Sequence, residues 1–215
     1  DQYDKGFIHC DVLIIGAGPA GLMAALTAGR AGARVVLADE DFRFGGRLNA
    51  ETFEVGGKSG ADWAAAAIAE LQSLPNVRLM LRTTVIGAFD HGIYGAVERV
   101  SDHVAVPLPG KPRQTLWRIY SRRAILAGGA TERPIAFENN DRPGIMLAGS
   151  LRAYANRWGV TVGDKVAVFT NNADGLRTAQ DLKAKGVNVV SVIDSREGDE
   201  VIDTSGRLGL TSITV

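Results

Sequence analysis

The chain has 215 residues, 46% of them hydrophobic, and its 24 Lys and Arg balance 24 Asp and Glu. That length and apolar content suffice to bury a sizeable core as one large domain or two small ones, and they read as a soluble globular protein. Cancelling charge in short mixed runs gives no footprint for nucleic acid or an anionic membrane, and apolar runs that are strand-length or broken by Gly give no transmembrane span or signal peptide.

The sequence opens on Asp1 without Met and enters its first strand almost at once, so a piece of something longer is expected. The lone Cys10 stands at the lip of that strand. It rules out an internal disulfide and, with no Cys-x-x-Cys, thioredoxin-reductase chemistry; a buried, inert thiol in a reducing, cytoplasmic setting is expected. Asp11-Val12-Leu13-Ile14-Ile15 then runs into Gly16-Ala17-Gly18-Pro19-Ala20-Gly21 and an alanine-rich helix. Gly16 allows the tight turn, Gly18 lets a pyrophosphate approach the backbone, and Gly21 permits close helix-to-strand contact. Pro19 suits the first helical turn because it has no N–H to leave unpaired. The helix runs through Leu22, Ala24, Ala25 and Ala28 towards a stop at Gly32. A second buried strand over 34–38 ends in Asp39-Glu40, where an acid should meet a ribose hydroxyl; Asp39 is in register with the strand end, and Glu40 is the alternative. Strand, glycine turn, helix, second strand and terminal acid at these separations mark a dinucleotide site, whereas a glycine triplet alone would not.

Next comes a loop, Phe42-Arg43-Phe44-Gly45-Gly46-Arg47-Leu48, whose paired glycines let backbone pass close to a ligand. Ser59-Gly60-Ala61-Asp62 resembles a capping box ahead of a helix over 63–73, closed by Pro75-Asn76. Residues 77–81 with 83–85 supply another strand, completing a βαβαβ-like core. Short alternating pieces over 86–117, interrupted by a loop over 107–112, predict an antiparallel meander covering one face of the sheet. Ala124-Ile125-Leu126-Ala127 reads as a short buried strand opening into Gly128-Gly129-Ala130, where the glycines imply backbone crowding near a ligand or strand. A turn-rich stretch over 139–144 leads to a helix over 147–158.

A second β-α-β unit follows: a strand over 165–169, a helix over 175–185 stopped by Gly186, and a strand over 187–193. Its turn places Thr170 and Asn172 at the first two glycine positions, where side chains obstruct a pyrophosphate, so this unit reads as scaffold. Beyond Ser195 the chain is too brief for a third parallel strand with its helix; 200–203 and 210–215 suggest a closing hairpin around Ser205-Gly206. The expected fold class is therefore α/β: a Rossmann-like FAD/NAD(P)-binding domain of parallel sheet plus antiparallel meander over 1–160, then a truncated Rossmann-like unit over 161–215. His9, His91 and His103 are dispersed beside turns and suggest no metal site. No nucleophile elbow is visible, and no catalytic residue is assigned. Trp63, Trp117 and Trp158 are expected to fill core or interface, and Arg122-Arg123 to be a solvated strand end.

Several segments together resemble the alpha subunits of heterotetrameric sarcosine oxidase. They are Tyr3-Asp4-Lys5 ahead of His9-Cys10-Asp11-Val12, the glycine turn, Asp39-Glu40, Phe44-Gly45-Gly46, Asp90-His91, Leu116-Trp117, Glu132-Arg133-Pro134, Asn140-Asp141-Arg142-Pro143-Gly144 and Phe169-Thr170-Asn171-Asn172. The resemblance covers nearly the whole chain, and extends more loosely to dye-linked proline dehydrogenase. It implies the nucleotide-binding portion of an amine-oxidising flavoenzyme that turns sarcosine into glycine, with folate-linked one-carbon transfer in a region absent here. Beta, gamma and delta subunits would be partners, with FAD and FMN held on the beta side, and this portion would bind NAD without catalysing alone. Carried over, Gly16, Gly18, Pro19, Ala20 and Gly21 would contact pyrophosphate, with Asp39 or Glu40 on the adenosine ribose. Gly45, Gly46 and Arg47 would border the phosphates, Val85 would present backbone to adenine, and Gly128, Gly129 and Ala130 would close the pocket. The family's Ala-Thr-Gly-Ala is Ala127-Gly128-Gly129-Ala130 here, so a threonine hydroxyl is lost.

Two other readings remain. One is a self-contained oxidoreductase with FAD in the first turn and NAD(P)H in the second. The other is a purely structural chain with an empty pocket. These residues read the ADP half that FAD and NAD share, so either cofactor fits the first site.

Overall fold

A computed structural model describes residues 2–52, 54–107, 109–196 and 211–214. Its contacts form two compact units, Asp1–Leu48 with Phe53–Ala130, and Asn49–Thr52 with Thr131–Val215. Residues 131–160, expected with the first domain, thus cluster with the second unit.

In the first unit the strands are β1 (Tyr3–Ile15), β2 (Val35–Ala38), β3 (Glu54–Val55), β4 (Lys58–Ser59), β5 (Val77–Met80), β6 (Thr83–Phe89), β7 (Ile93–Arg99) and β8 (Gln114–Leu126), with helices α1 (Pro19–Arg30) and α2 (Gly60–Ser73). Six of them form one sheet in the order β5-β2-β1-β8-β7-β6. The β5-β2-β1-β8 part is parallel and β7 and β6 are antiparallel. Parallel strands buried on both faces read as continuous apolar runs, which is why β2 is Val-Val-Leu-Ala and buried throughout. One face packs Ile14, Val35 and Leu37 against Leu22, Ala25 and Leu26 of α1 and Ala64, Ala67 and Leu71 of α2. Small residues on both helices let them approach the sheet and each other. Ser59 caps α2 by accepting the Asp62 N–H at 3.1 Å, while its hydroxyl donates to Asp62 Oδ2 at 2.7 Å.

The meander is no separate layer. Its strands are hydrogen-bonded through β8 into the same sheet, yet Ala96 and Ile119 pack with Val36 and Ala38 of the parallel strands. β1 has an irregularity where the N–H groups of Asp11 and Val12 both reach Arg34 O, at 2.8 and 3.2 Å. Across it the inward side changes, so Ile8 and Cys10 before it and Leu13 after it share one cluster.

Residues 83–85 do not extend the strand over 77–81. Arg82 has φ +51°, which turns the chain, and Thr83 opens the separate antiparallel strand β6. Residues 124–126 are the end of the thirteen-residue β8, Ala127 lies just beyond it, and the run is not buried: Leu126 is 80% exposed. Apolar composition marks a surface that can pack, without fixing what packs on it.

In the second unit, α3 (Ala148–Ala153) continues as a π turn over Tyr154–Trp158 and ends at Gly159 with φ +66°. Strand β9 (Val166–Thr170), helix α4 (Ala173–Ala184), and strands β10 (Val189–Asp194) and β11 (Thr211–Thr214) follow. The strand order is β11-β10-β9, and both pairings are parallel. Residues 211–214 add a third parallel strand where a closing hairpin was expected, and the proposed partner segment 200–203 lies outside the described residues. Val166, Val168 and Val192 pack on Leu176, Ala179 and Leu182 of α4, the β-α-β core expected from the sequence. Among the described residues, no helix is long and apolar enough to cross a membrane.

Candidate functional site

The glycine turn joins β1 to α1, and each glycine there meets a different demand. Gly16 has φ +99°, and a Cβ on it would lie 2.4 Å from Ala127 O. At Gly21 an added Cβ would lie 1.8 Å from Gly16 O, so the first turn of α1 sits against the loop itself. Gly18 differs: a Cβ there would meet nothing within 4 Å. Its backbone is ordinary, with φ −70° and ψ −173°, and it is the N-cap of α1 with no side chain to accept the helix N–H groups. Gly18 is therefore glycine for the space beside it, where a bulky anion can approach free N–H groups at the positive end of a helix. Pro19 occupies the first turn and Ala20 follows it within α1.

A second loop rests on this turn. Gly45 N–H donates to Ala17 O at 2.9 Å, and a Cβ on Gly46 would stand 3.0 Å from Gly18 Cα. Both have left-handed φ, +119° and +51°. Gly46 opens a 3-10 turn over Gly46–Asn49 that carries Arg47, whose side chain is exposed. Asp39 leaves the end of β2 and turns back to the glycines: Oδ2 accepts the Ala17 N–H at 2.6 Å and Oδ1 accepts the Asp41 N–H at 2.8 Å. Its main chain is held as well, by bonds to Met80 O at 2.9 Å and from Thr83 N–H at 2.8 Å. Glu40 is exposed, and its carbonyl accepts from Arg99 Nη2 at 2.6 Å.

The structure thus brings together Gly16, Gly18, Pro19, Ala20, Gly21, Asp39, Gly45 and Gly46. Val85 lies on β6 opposite Ala96. Gly128, Gly129 and Ala130 follow β8 as an exposed segment, and it is their neighbour Ala127 that touches Gly16. Sequence reading missed the contact from Asp39 to Ala17; an acid at the end of β2 was the only available signal.

The second unit's turn is filled by its own side chains. Thr170 Oγ1 accepts the Asn172 N–H at 3.1 Å, and Asn172 Oδ1 accepts the Asp174 and Gly175 N–H groups at 2.9 and 3.3 Å. A Cβ on Gly175 would lie 2.2 Å from Thr170 Oγ1. The turn's own side chains thus already accept from the Asn172, Asp174 and Gly175 N–H groups. Beside this turn lies a cavity of about 890 Å³, lined by apolar groups such as Ile135, Phe137, Met146 and Phe169 with Arg133 and Lys165 among them. No periodicity announced it, because most of its wall is loop.

The other candidates resolve individually. Cys10 is 3% exposed, and burial pushes its thiol pKa up, against a hydrogen bond with Ser121 that lowers it. His9 stacks on Tyr120 at 4.8 Å. Trp117 donates to Glu98 Oε2 at 2.7 Å and lies under the Arg78 guanidinium, while Trp158 is 54% exposed and so fills no core among the described residues. Among the described residues, no group of three His, Cys, Asp or Glu is placed to hold a metal.

Residues 11–58, from within β1 to the start of β4, match the family model of FAD-dependent oxidoreductases. Over 196 residues and 91% of its length, the chain is 53% identical to the sarcosine oxidase alpha subunit of Rhizobium meliloti. It is 46% identical, over 90% of its length, to that of Corynebacterium sp. strain P-1. The chain spans 20% of the length of each. An opine oxidase subunit of Agrobacterium tumefaciens is 30% identical over 87% of the chain, which spans 37% of it. Among solved structures, L-proline dehydrogenase of P. horikoshii superposes with a TM-score of 0.72 at 30% identity, covering 93% of this chain and 38% of its own. Thioredoxin reductase of T. acidophilum, at 16% identity and a TM-score of 0.64 over 96% of this chain and 64% of its own, shares the fold. The fold is of the FAD/NAD(P)-binding Rossmann-like class.

Proposed function

We propose that this chain is the nucleotide-binding portion of an alpha subunit in a sarcosine oxidase-like, amine-oxidising flavoenzyme complex. On this reading the β1–α1 turn holds the ADP half of a dinucleotide, NAD in the first instance, and the segment does not catalyse alone. One observation carries it: at Gly18 alone of the three turn glycines, a Cβ would point into open space, beside helix N–H groups that no side chain caps. A cradle kept clear in that way suits a pyrophosphate.

Gly16 and Gly21 shape the turn, Gly18 and the first N–H groups of α1 receive the phosphates, and Gly45 and Gly46 border them. A nicotinamide or flavin, when bound, would supply two-electron exchange; the residues of this turn supply binding and orientation. The oxidation of an amine, the beta, gamma and delta partners, the flavins on the beta side and a folate-linked step belong to the whole assembly proposed here. The self-contained reading, with NAD(P)H in the second turn, is disfavoured because Thr170 and Asn172 already satisfy that turn's N–H groups.

The test is an absorption spectrum of the purified protein, followed by acid release and mass identification of any ligand. Colourless protein releasing NAD, or taking it up on titration, supports the proposal. A flavin band from this chain alone moves the first site to FAD, and failure to bind any adenine dinucleotide leaves the reading of a structural chain with an empty pocket.

A further inference from the structure

The cavity of about 890 Å³ beside the Thr170–Asn172 turn has a wall that comes entirely from the second unit, and its volume falls in the range of pockets for small organic ligands. It takes in Phe169 near the carboxyl end of β9, paired with Ile193 of β10, the edge at which open α/β sheets receive their ligands. Phe137 meets Phe169 edge-on with ring centres 5.7 Å apart, so the loop that carries it forms the facing wall. Phe137, Ile145 and Val162 on that wall are 43%, 42% and 39% exposed. Large apolar side chains left in contact with water around one hollow mark a place where burial is favourable. The charged groups of the wall are Glu132, Arg133 and Lys165. Glu132 is already engaged, its Oε2 accepting the Gly149 N–H at 2.8 Å. Among the described residues, neither Arg133 nor Lys165 takes part in a hydrogen bond or ion pair. The free charge of this apolar hollow is therefore positive, while the N–H groups of the adjoining turn are held by its own side chains and are not offered to a phosphate.

We propose that the cavity binds an organic carboxylate with an apolar body, the body lying against Phe137, Met146 and Phe169 and the carboxylate drawn to Arg133 and Lys165. A guanidinium offers a carboxylate two parallel N–H donors, and a lysine ammonium adds a point charge. Met146 suits a body of irregular shape, because an unbranched thioether side chain adapts to what it packs on. None of these residues belongs to the β1–α1 turn, so the cavity's ligand does not depend on the dinucleotide reading.

The experiment is calorimetric titration of the full-length protein at low salt with 2-naphthoate and with its neutral analogue 2-naphthamide, repeated on Arg133→Gln, Lys165→Gln and Ala167→Trp. 2-Naphthoate should bind about tenfold more tightly than the amide, the combined effect of two exposed charge pairs, and each Gln variant should lose about threefold for the acid and nothing for the amide. Arg133 and Lys165 are both exposed, so these two substitutions spare the core. Ala167 is an exposed position of β9 on the cavity wall, and Trp there should fill the space and abolish binding of both probes. If Ala167→Trp does not fold, the Gln variants decide, because a loss confined to the anion cannot come from a general change of structure. No binding of 2-naphthoate, equal affinity for acid and amide, or an acid affinity unchanged in both Gln variants overturns the proposal. Stoichiometric displacement of 2-naphthoate by NAD overturns it as well, by assigning the probe to a dinucleotide pocket.

Discussion

Gly46 lies against Gly18 so closely that a Cβ on Gly46 would stand 3.0 Å from the Gly18 Cα, whereas a Cβ on Gly18 would touch nothing within 4 Å. The two glycines of one contact therefore have different reasons to be glycine, and substitution should separate them. Gly46→Ala strains a residue with φ +51° and presses on the turn, at a cost to stability of about 1 to 2 kcal/mol. Gly18→Val places a branched side chain in the open space and should abolish nucleotide binding. Its effect on unfolding should stay within about 1 kcal/mol, the difference between Gly and an aliphatic residue at an N-cap. Urea denaturation beside ligand titration checks both; a Gly18→Val protein that binds normally would sink the site assignment.

Gly21 tests the packing of the same helix. A Cβ 1.8 Å from Gly16 O cannot be absorbed by a flexible side chain, because the obstructing atom is backbone. Gly21→Ala should push the first turn of α1 off the sheet and destabilise the protein by about 3 kcal/mol or more, in the range of severe overpacking. A variant as stable as the parent would mean that α1 can shift freely against β1.

Much of this site was legible in the sequence because the chemistry of a phosphate cradle is local. Gly16, Gly18, Pro19 and Gly21 lie within six consecutive residues, and their spacing specifies a strand, a turn and a helix start. Asp39 was legible as an acid at a strand end, but its bond to Ala17 N–H was not, since spacing does not say which way a carboxylate turns. The parallel strands were visible as apolar runs such as Val35-Val36-Leu37-Ala38. Leu126 looked the same and is exposed, because a run of apolar residues carries no information on what covers it. The change of inward side along β1 falls at the irregularity at Asp11 and Val12, which no periodicity signals. The parallel pairing of 211–214 with β10 was likewise hidden, as Thr211-Ser212-Ile213-Thr214 fits a strand paired in either direction.

Acid should weaken the protein through identifiable carboxylates. Hydrogen bonds from Arg34 hold the Asp11 carboxyl below the ordinary range, Arg30 does the same for Glu70, Gln114 and Arg113 for Asp102, and Arg196 for Asp194. A carboxyl pKa depressed in the folded state means that the unfolded chain binds more protons as pH falls. The stabilisation is therefore complete above the unfolded values of about 4 and is lost as pH drops through the lower folded ones. The urea midpoint should be flat between about pH 6 and 5 and should fall below about pH 4, less steeply in high salt because several of these pairs are exposed. Asp194→Asn should lower the plateau and flatten the acid limb, its side chain being 2% exposed against Arg196. A midpoint that rises on acidification would contradict the assignment.

Arg152 should matter most to the second unit. Its side chain is 2% exposed, with Nη2 donating to Asp174 O and Thr178 Oγ1, each at 2.8 Å. Its guanidinium also lies 3.4 Å from Glu51, 3.3 Å from Asp174 and 3.4 Å from Asp181. One cation thus faces three carboxylates contributed by α4 and by the 49–52 segment. Glu51 is itself 7% exposed, so water cannot replace the lost charge fully. Arg152→Met keeps much of the volume and removes the cation, and its cost should be about 3 to 5 kcal/mol, because breaking a buried ion pair leaves charge uncompensated. Lysine should recover only part, having one point charge where the guanidinium fork reaches several acceptors. Denaturant unfolding followed at Trp158, on the turn that continues α3, reads this unit. If Arg152→Met unfolds at the parent's midpoint, the cluster is an incidental feature of the contact between α3 and α4 and does not hold the unit together.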